Sequence, residues 1–199
     1  MRRFLTLTSA CTLVLLATVA RAQQLDITAG GSTLFSSKPS SASAVFPPPQ
    51  ENGGVYPTVG AEFLLENRFG FQAEGTFRYK QGLYDGYQKF RPFLYDVNGV
   101  FAPRITKKIT VDFLAGVGVE SLIFYNQYNA CSPPNTVCQT SLNSSHFLVH
   151  IGGGPRYYFW HDFFVRPEVH YYRIFHNVEF SSDNVVRVGA TIGYTFGTR

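Results

Sequence analysis

Between Phe69 and Lys80 the chain alternates without a break, with Phe69, Phe71, Ala73, Gly75, Phe77 and Tyr79 on one side and Gly70, Gln72, Glu74, Thr76, Arg78 and Lys80 on the other. A period of two is that of a β-strand; a helix would scatter the same residues around its circumference. The C-terminal segment repeats the pattern, Val186, Val188, Ala190, Ile192, Tyr194 and Phe196 alternating with Val185, Arg187, Gly189, Thr191, Gly193 and Thr195. Between them the alternation recurs over 55–65, 93–101, 109–123, 147–159 and 163–175, and in weaker form over 25–35. The spacing therefore predicts eight strands, each reaching the roughly 9 to 11 residues that a tilted strand needs to cross a hydrocarbon layer.

The connections alternate too. Those at 66–68, 104–108 and 160–162 are short, whereas 36–54, 81–89, 124–145 and 177–183 are generally longer and polar. Short turns on one rim and long loops on the other are expected of an up-and-down antiparallel barrel in an outer membrane, with the short turns periplasmic. A soluble eight-stranded barrel also alternates, but with its apolar face inward. Two features favour the inverted arrangement. Aromatic residues gather near the strand ends of the apolar face, Phe69, Phe101, Phe159, Phe163, Tyr194 and Phe196 towards the short turns and Tyr79, Tyr171 and Phe175 towards the loops. The polar face mixes acids, bases, glycines and threonines, which suits a crowded, salt-bridged interior.

The N-terminus sets the compartment. Arg2 and Arg3 precede an apolar run from Phe4 to Val19, and Ala20-Arg21-Ala22 is an A-x-A cleavage signal, so residues 1–22 read as an export signal peptide and 23–199 as the mature barrel domain. The run is short of the ~20 apolar residues of a membrane helix. Charge then changes meaning: Arg2, Arg3 and Arg21 leave with the signal and no acid does, so 17 basic residues become 14 against 13 acids. A nearly neutral mature chain argues against nucleic acid as a partner.

Export also frames the cysteines. Cys131 and Cys138 lie together in the third long loop, in a chain sent to an oxidising compartment, and a disulfide between them is expected. No His or acid inside that loop supports a metal alternative. On the presumed inner face stand Glu62, Glu74, Asp96, Asp112, Glu120 and Glu168, with Arg78, Arg156, Arg166 and Arg187 of opposite sign. Charges confined inside so narrow a barrel must pair, which makes them a plug; a conducting pore is the alternative. If the turn at His161 pairs residue 156 with 166, Glu168 is diagonal to Arg156 and bridges both arginines. His150 and His170 share this interior with Glu168 and read either as members of the hydrogen-bonded network or as an acid–base or metal group. Gly152-Gly153-Gly154 lies within a strand pattern and marks a bend or close approach. G-x-S-x-G, H-E-x-x-H and P-loop signatures are absent, and no cofactor or metal is expected.

In strand number and loop asymmetry the mature chain resembles the small OmpA-type and OmpX-type outer-membrane barrels over nearly its whole length. Its last strand, with Tyr194 and Phe196, resembles the aromatic-ended strand that the barrel-assembly machinery reads in such proteins, although Gly197-Thr198-Arg199 follow here. The resemblance implies contact with outer-membrane lipid and assembly by that machinery. Some small barrels of this kind are lipid A deacylases using a His-x-Ser arrangement; Ser144, Ser145 and His146 present it in reversed order at a loop edge. The expectation is a non-enzymatic surface scaffold displaying four loops to a partner the sequence does not name. A narrow pore and a lipid-modifying enzyme stand behind it.

Overall fold

The structure, a computed structural model, describes residues 23–36, 49–65, 68–131 and 138–197, with the side chains of 23 and 126–140 outside that description. Residues 1–22, the expected signal peptide, lie outside it as well. Nine strands follow one another: β1 (Gln23–Ser36), β2 (Tyr56–Leu65), β3 (Phe69–Phe77), β4 (Gly82–Tyr84), β5 (Gln88–Phe101), β6 (Ile109–Cys131), β7 (Cys138–Trp160), β8 (Phe163–Ile174) and β9 (Asn184–Gly197). All pairings are antiparallel, in the order β3-β2-β1-β9-β8-β7-β6-β5, and β3 pairs with β5 to close the ring. Eight strands thus form a closed barrel, and among the described residues there is no helix.

The ninth element, β4, is three residues long and hangs on the outer end of β5, where Leu83 faces Lys89. It corrects the reading of 81–89 as plain loop, and β5 begins at Gln88, five residues before the expected Phe93. The larger correction concerns 124–145. Most of that segment continues β6 and β7 as a hairpin beyond the barrel, with a register shift between Tyr125 and Ala130. Conversely β3 stops at Phe77, so Arg78 and Lys80 are not strand residues.

The faces are as the alternation predicts. Ile27, Val59, Phe71, Val97, Val117, Ile151, Val169 and Ile192 point outward and are each at least half exposed, whereas Glu62, Asp112, Arg156, Arg166 and Arg187 point inward and are fully buried. Aromatic pairs band both ends of the outer surface. Phe69 stacks on Phe101 at 4.9 Å and Phe163 meets Tyr194 at 4.8 Å near the short turns; Phe77–Phe93 at 5.9 Å and Phe147–Phe175 at 5.8 Å mark the other rim.

The interior is not wholly polar, which the sequence reading left out. Leu34, Tyr56, Leu94, Leu148, Tyr172, Ile174 and Val185 form an apolar cluster on the long-loop side of the charges. Phe90, Leu122 and Phe180 lie further out, and Leu64, Val100, Ala102 and Leu114 lie towards the short turns. Gly152 makes room for a large polar side chain and Gly153 for the neighbouring backbone. A Cβ on Gly152 would fall 2.5 Å from His170 Nδ1, and one on Gly153, at φ 149°, 1.9 Å from the Asp112 carbonyl oxygen. Close approach is therefore the physical role of the triple glycine.

Candidate functional site

Three arginines organise the barrel interior. Arg156, on β7, donates to Asp26 of β1, to Glu62 of β2 at 2.7 Å and to Asp112 of β6 at 2.6 Å, and its guanidinium lies 4.4 Å from the Phe164 ring centre. Arg166 donates to the same Glu62 and Asp112, at 3.1 and 3.0 Å, and to Glu168 at 3.0 Å. Arg187 donates to Glu74 and to Thr76 across the barrel and reaches Glu168 at 3.5 Å. The planar guanidinium fork suits this work, since it engages several carboxylates at once from one fixed position.

The proposed bridge is thereby corrected. The register is the expected one, with Gly153 opposite Val169 and Tyr157 opposite Val165 on either side of Arg156. Glu168 nevertheless bridges Arg166 and Arg187, while Glu62 and Asp112 join Arg156 to Arg166. Arg156 turns across the barrel towards β1, β2 and β6, away from its diagonal neighbour. Asp26, which the sequence reading did not single out, completes the cluster; it could have been found, because Gln24, Asp26 and Thr28 alternate with Leu25, Ile27 and Ala29.

Beyond Arg187 the network continues through histidine. His150 Nδ1 lies 2.7 Å from Asn98 Oδ1 and 3.8 Å from Asp96, and His150 Nε2 is 2.7 Å from His170 Nδ1. A metal between these rings would need roughly 2.0–2.1 Å to each nitrogen, hence a gap of about 3.3 Å between tetrahedral ligands. The observed gap is that of a hydrogen bond. Glu74, Glu168 and His170 also approach one another within 4.8 Å, but the Arg187 guanidinium already occupies the charge position between the two carboxylates.

Two predicted charges, Arg78 and Glu120, stand apart from these three arginines. Arg78 is half-buried at the mouth, 5.4 Å from the Phe90 ring centre, and Glu120 is fully buried on β6 level with Leu94. Glu120 faces Glu51, a buried residue of the β1–β2 connection whose Oε1 accepts from the Tyr56 hydroxyl at 3.5 Å. Among the described residues no donor other than a shared proton reaches the Glu120 oxygens. Burial pushes the Glu51 carboxyl up to about 7, against the lowering pull of Glu120, Arg78 and Tyr56. Its pKa is raised above the unfolded value, so the shift is neutral for stability well below pH 4.5 and opposes folding increasingly as pH rises towards 7. Amide protection in residues 49–55, taken relative to intrinsic base-catalysed exchange, is therefore expected to fall between about pH 4.5 and 7, and Glu51→Gln to flatten that fall. An unchanged pH dependence in Glu51→Gln would assign the opening to another group.

The long-loop connections cover this mouth. Ser181 N–H donates to the Pro49 carbonyl at 3.0 Å, the Tyr84 hydroxyl to the Glu179 carbonyl at 2.8 Å, and Tyr84 packs edge-on to Phe124 and Phe180. Nearby, Ser144 Oγ lies 3.0 Å from His146 Nε2 and Glu179 Oε2 lies 2.9 Å from the same nitrogen. A serine–histidine–acid relay needs the acid on the other ring nitrogen. Glu179 competes with Ser144 here and does not orient the ring. The register sets Cys131 directly opposite Cys138 at the hairpin tip; their side chains lie outside the described residues. Tyr194 and Phe196 project from β9 opposite Ile27 and Leu25, their rings 4.7 Å apart.

No protein-family profile and no curated protein sequence matches the chain. Among solved structures it is similar to Neisserial surface protein A (TM-score 0.60, 10% identity, 88% of this chain and 97% of that one). It is similar also to Ail, the attachment invasion locus protein of Yersinia pestis, solved in complex with the heparin analogue sucrose octasulfate (0.56, 15%, 87% and 99%). A third is the N-terminal β-barrel domain of Pseudomonas aeruginosa OprF (0.57, 11%, 87% and 97%). The fold is that of the small eight-stranded outer-membrane barrels.

Proposed function

We propose that the protein is exported, loses residues 1–22, and stands in the bacterial outer membrane as a closed, non-catalytic scaffold that displays its long-loop rim at the cell surface. The observation that carries this reading is the filling of the interior by side chains: a buried arginine–carboxylate network under the apolar cluster around Leu94 and Tyr172, with Tyr84, Phe124 and Phe180 above. Support for the membrane comes from the half-exposed apolar belt between two aromatic bands, since soluble monomers rarely show so large an apolar surface. Likeness to a neisserial surface protein and to an attachment protein is consistent with display at the rim. Tyr194 and Phe196 serve in this reading as the assembly signal, and the doubly contacted His146 Nε2 speaks against hydrolysis.

Planar-bilayer recording tests the closure. The purified barrel is expected to give no large, stable single-channel steps; such steps in the wild type, with ion selectivity altered by Glu168→Ala, would establish the narrow pore instead.

The rim hairpin is proposed to carry a Cys131–Cys138 disulfide. Directly opposed antiparallel residues have Cα atoms about 4.5–5.5 Å apart, within the range a disulfide spans. Mass spectrometry of alkylated, unreduced protein should read a chain beginning at Gln23 with neither thiol labelled. Labelling of both removes the crosslink.

A further inference from the structure

One wall of the barrel differs from the rest. On β5 the outward positions run Lys89, Arg91, Phe93, Tyr95 and Val97 towards the short turns, so two cations stand on the lipid-facing side just past the aromatic band. Arg91 is two residues beyond Phe93, about 7 Å along the strand. Phe93 stacks on Phe77 at 5.9 Å and on Tyr95 at 6.2 Å, and Arg91 donates to the Tyr79 carbonyl at 3.3 Å. Aromatic girdles mark the boundary between hydrocarbon and headgroups, so these cations sit where lipid headgroups begin.

They have no acid of their own. The acids of the long-loop end are Glu51, Asp85, Glu120, Glu179 and Asp183, all within the described residues. Glu51 and Glu120 are buried in the mouth, Glu179 contacts His146, and Asp183 pairs with Arg173 at 3.2 Å on the far wall. Asp85 remains, in the β4–β5 turn, and among the described residues no ion pair within 4 Å joins it to Lys89 or Arg91. The segments 37–48 and 126–140 contain no acid at all. On the opposite wall the corresponding cation, Arg173, is neutralised; here two are not.

Directly below lies a shallow apolar groove of about 790 Å³. Its floor is made of small outward residues, Gly75, Ala73, Ala61 and Ala29, and its near wall of Tyr95 and Val97. Cross-strand pairing makes this continuous, since Gly75 faces Tyr95 and Val59, and Ala73 faces Val97 and Ala61. Tyr95 therefore joins the groove to the Phe93–Arg91 column above it. A hollow in a lipid-facing surface is filled by whatever the bilayer supplies, which is an acyl chain. Unpaired cations at its upper end select the headgroup by charge.

We infer that this wall is a binding site for one phosphorylated membrane lipid, with the phosphate held by Lys89 and Arg91 and an acyl chain lying in the groove over Gly75 and Ala73. The site rests on the membrane-barrel reading. It goes beyond general lipid contact in requiring two determinants at once, a phosphate and a chain.

Nanodiscs of phosphatidylcholine doped with phosphatidic acid, or with diacylglycerol of the same chains, separate the two, the retained lipid being counted by native mass spectrometry. The wild type is expected to retain one phosphatidic acid and no diacylglycerol, undisturbed by excess inorganic phosphate. Lys89→Gln with Arg91→Gln should lower retention by roughly tenfold or more. Gly75→Leu should lower it with both charges intact; a Cβ there meets only Tyr95 Cδ1, at 3.8 Å, so the backbone tolerates the change. Displacement by inorganic phosphate would reduce the site to a free-anion patch, and equal retention of diacylglycerol to an unselective groove. Wild-type retention in either variant overturns the joint site. Heat-modifiable gel mobility, read on every sample, separates these results from failure to insert, which would overturn the membrane reading itself.

Discussion

Replacing Arg156 by Met is expected to destabilise the inserted barrel by about 3–5 kcal/mol, the usual cost of removing one partner from a buried ion pair. Methionine keeps much of the volume and the contact with Phe164, so the loss is mainly electrostatic. It leaves Asp26, Glu62 and Asp112, all buried, with Arg166 as the one guanidinium in contact with the last two. Urea titration of folding into vesicles measures the loss. Adding Asp112→Asn should recover part of it, since groups sharing one network are non-additive. A loss below about 1 kcal/mol, the level of solvated pairs, would mean that water fills the interior and would weaken the case for a sealed scaffold. Glu168→Ala acts elsewhere, on Arg166 and Arg187.

The strands were legible because they separate two environments. An exposed apolar face and a buried charged face must alternate at every step, so Phe69–Phe77 and Asn184–Gly197 could be read from their residues alone. The signal disappears where the environments do. Past Tyr125 the alternation no longer marks a strand, and Asn126-Gln127-Tyr128-Asn129 reads as loop although it lies inside β6, where the register shifts between the paired Tyr125 and Ala130. At Arg78 the error runs the other way: alternation continued by chance past the end of β3.

Partners were less legible than faces. Inward alternation identified Glu62, Asp112, Arg156, Arg166 and Arg187, and the hairpin register of β7 and β8 followed from the turn at His161. Which carboxylate meets which arginine depends on the cross-section, where β7 looks onto β1, β2 and β6; spacing along the chain does not encode it. Glu51 had no local signal at all. It sits two residues after Pro47-Pro48-Pro49, and its burial comes wholly from the closure of the mouth around it.

The assignment of faces has its own decisive measurement, a depth series along β9. Ala190 is exposed at the middle of the strand, opposite Gly31 and Pro167, with Val186 towards the long loops on the same face. In a bilayer Ala190→Arg should cost about 2–4 kcal/mol, and Val186→Arg about 0–1 kcal/mol because its guanidinium reaches the headgroups. Thr191 is the control for the other face. It is buried beside Glu168 at 3.5 Å, and the Cβ that Gly30 lacks would lie within 2.7 Å of its methyl carbon, so Thr191→Arg acts through crowding whatever surrounds the barrel. The depth dependence is therefore the informative quantity. Equal penalties at positions 190 and 186 in vesicle-folding titrations would indicate a uniform aqueous surroundings for the apolar belt. A steep gradient requires a hydrocarbon layer centred near Ala190, and with it the location from which the displayed rim and the lipid site follow.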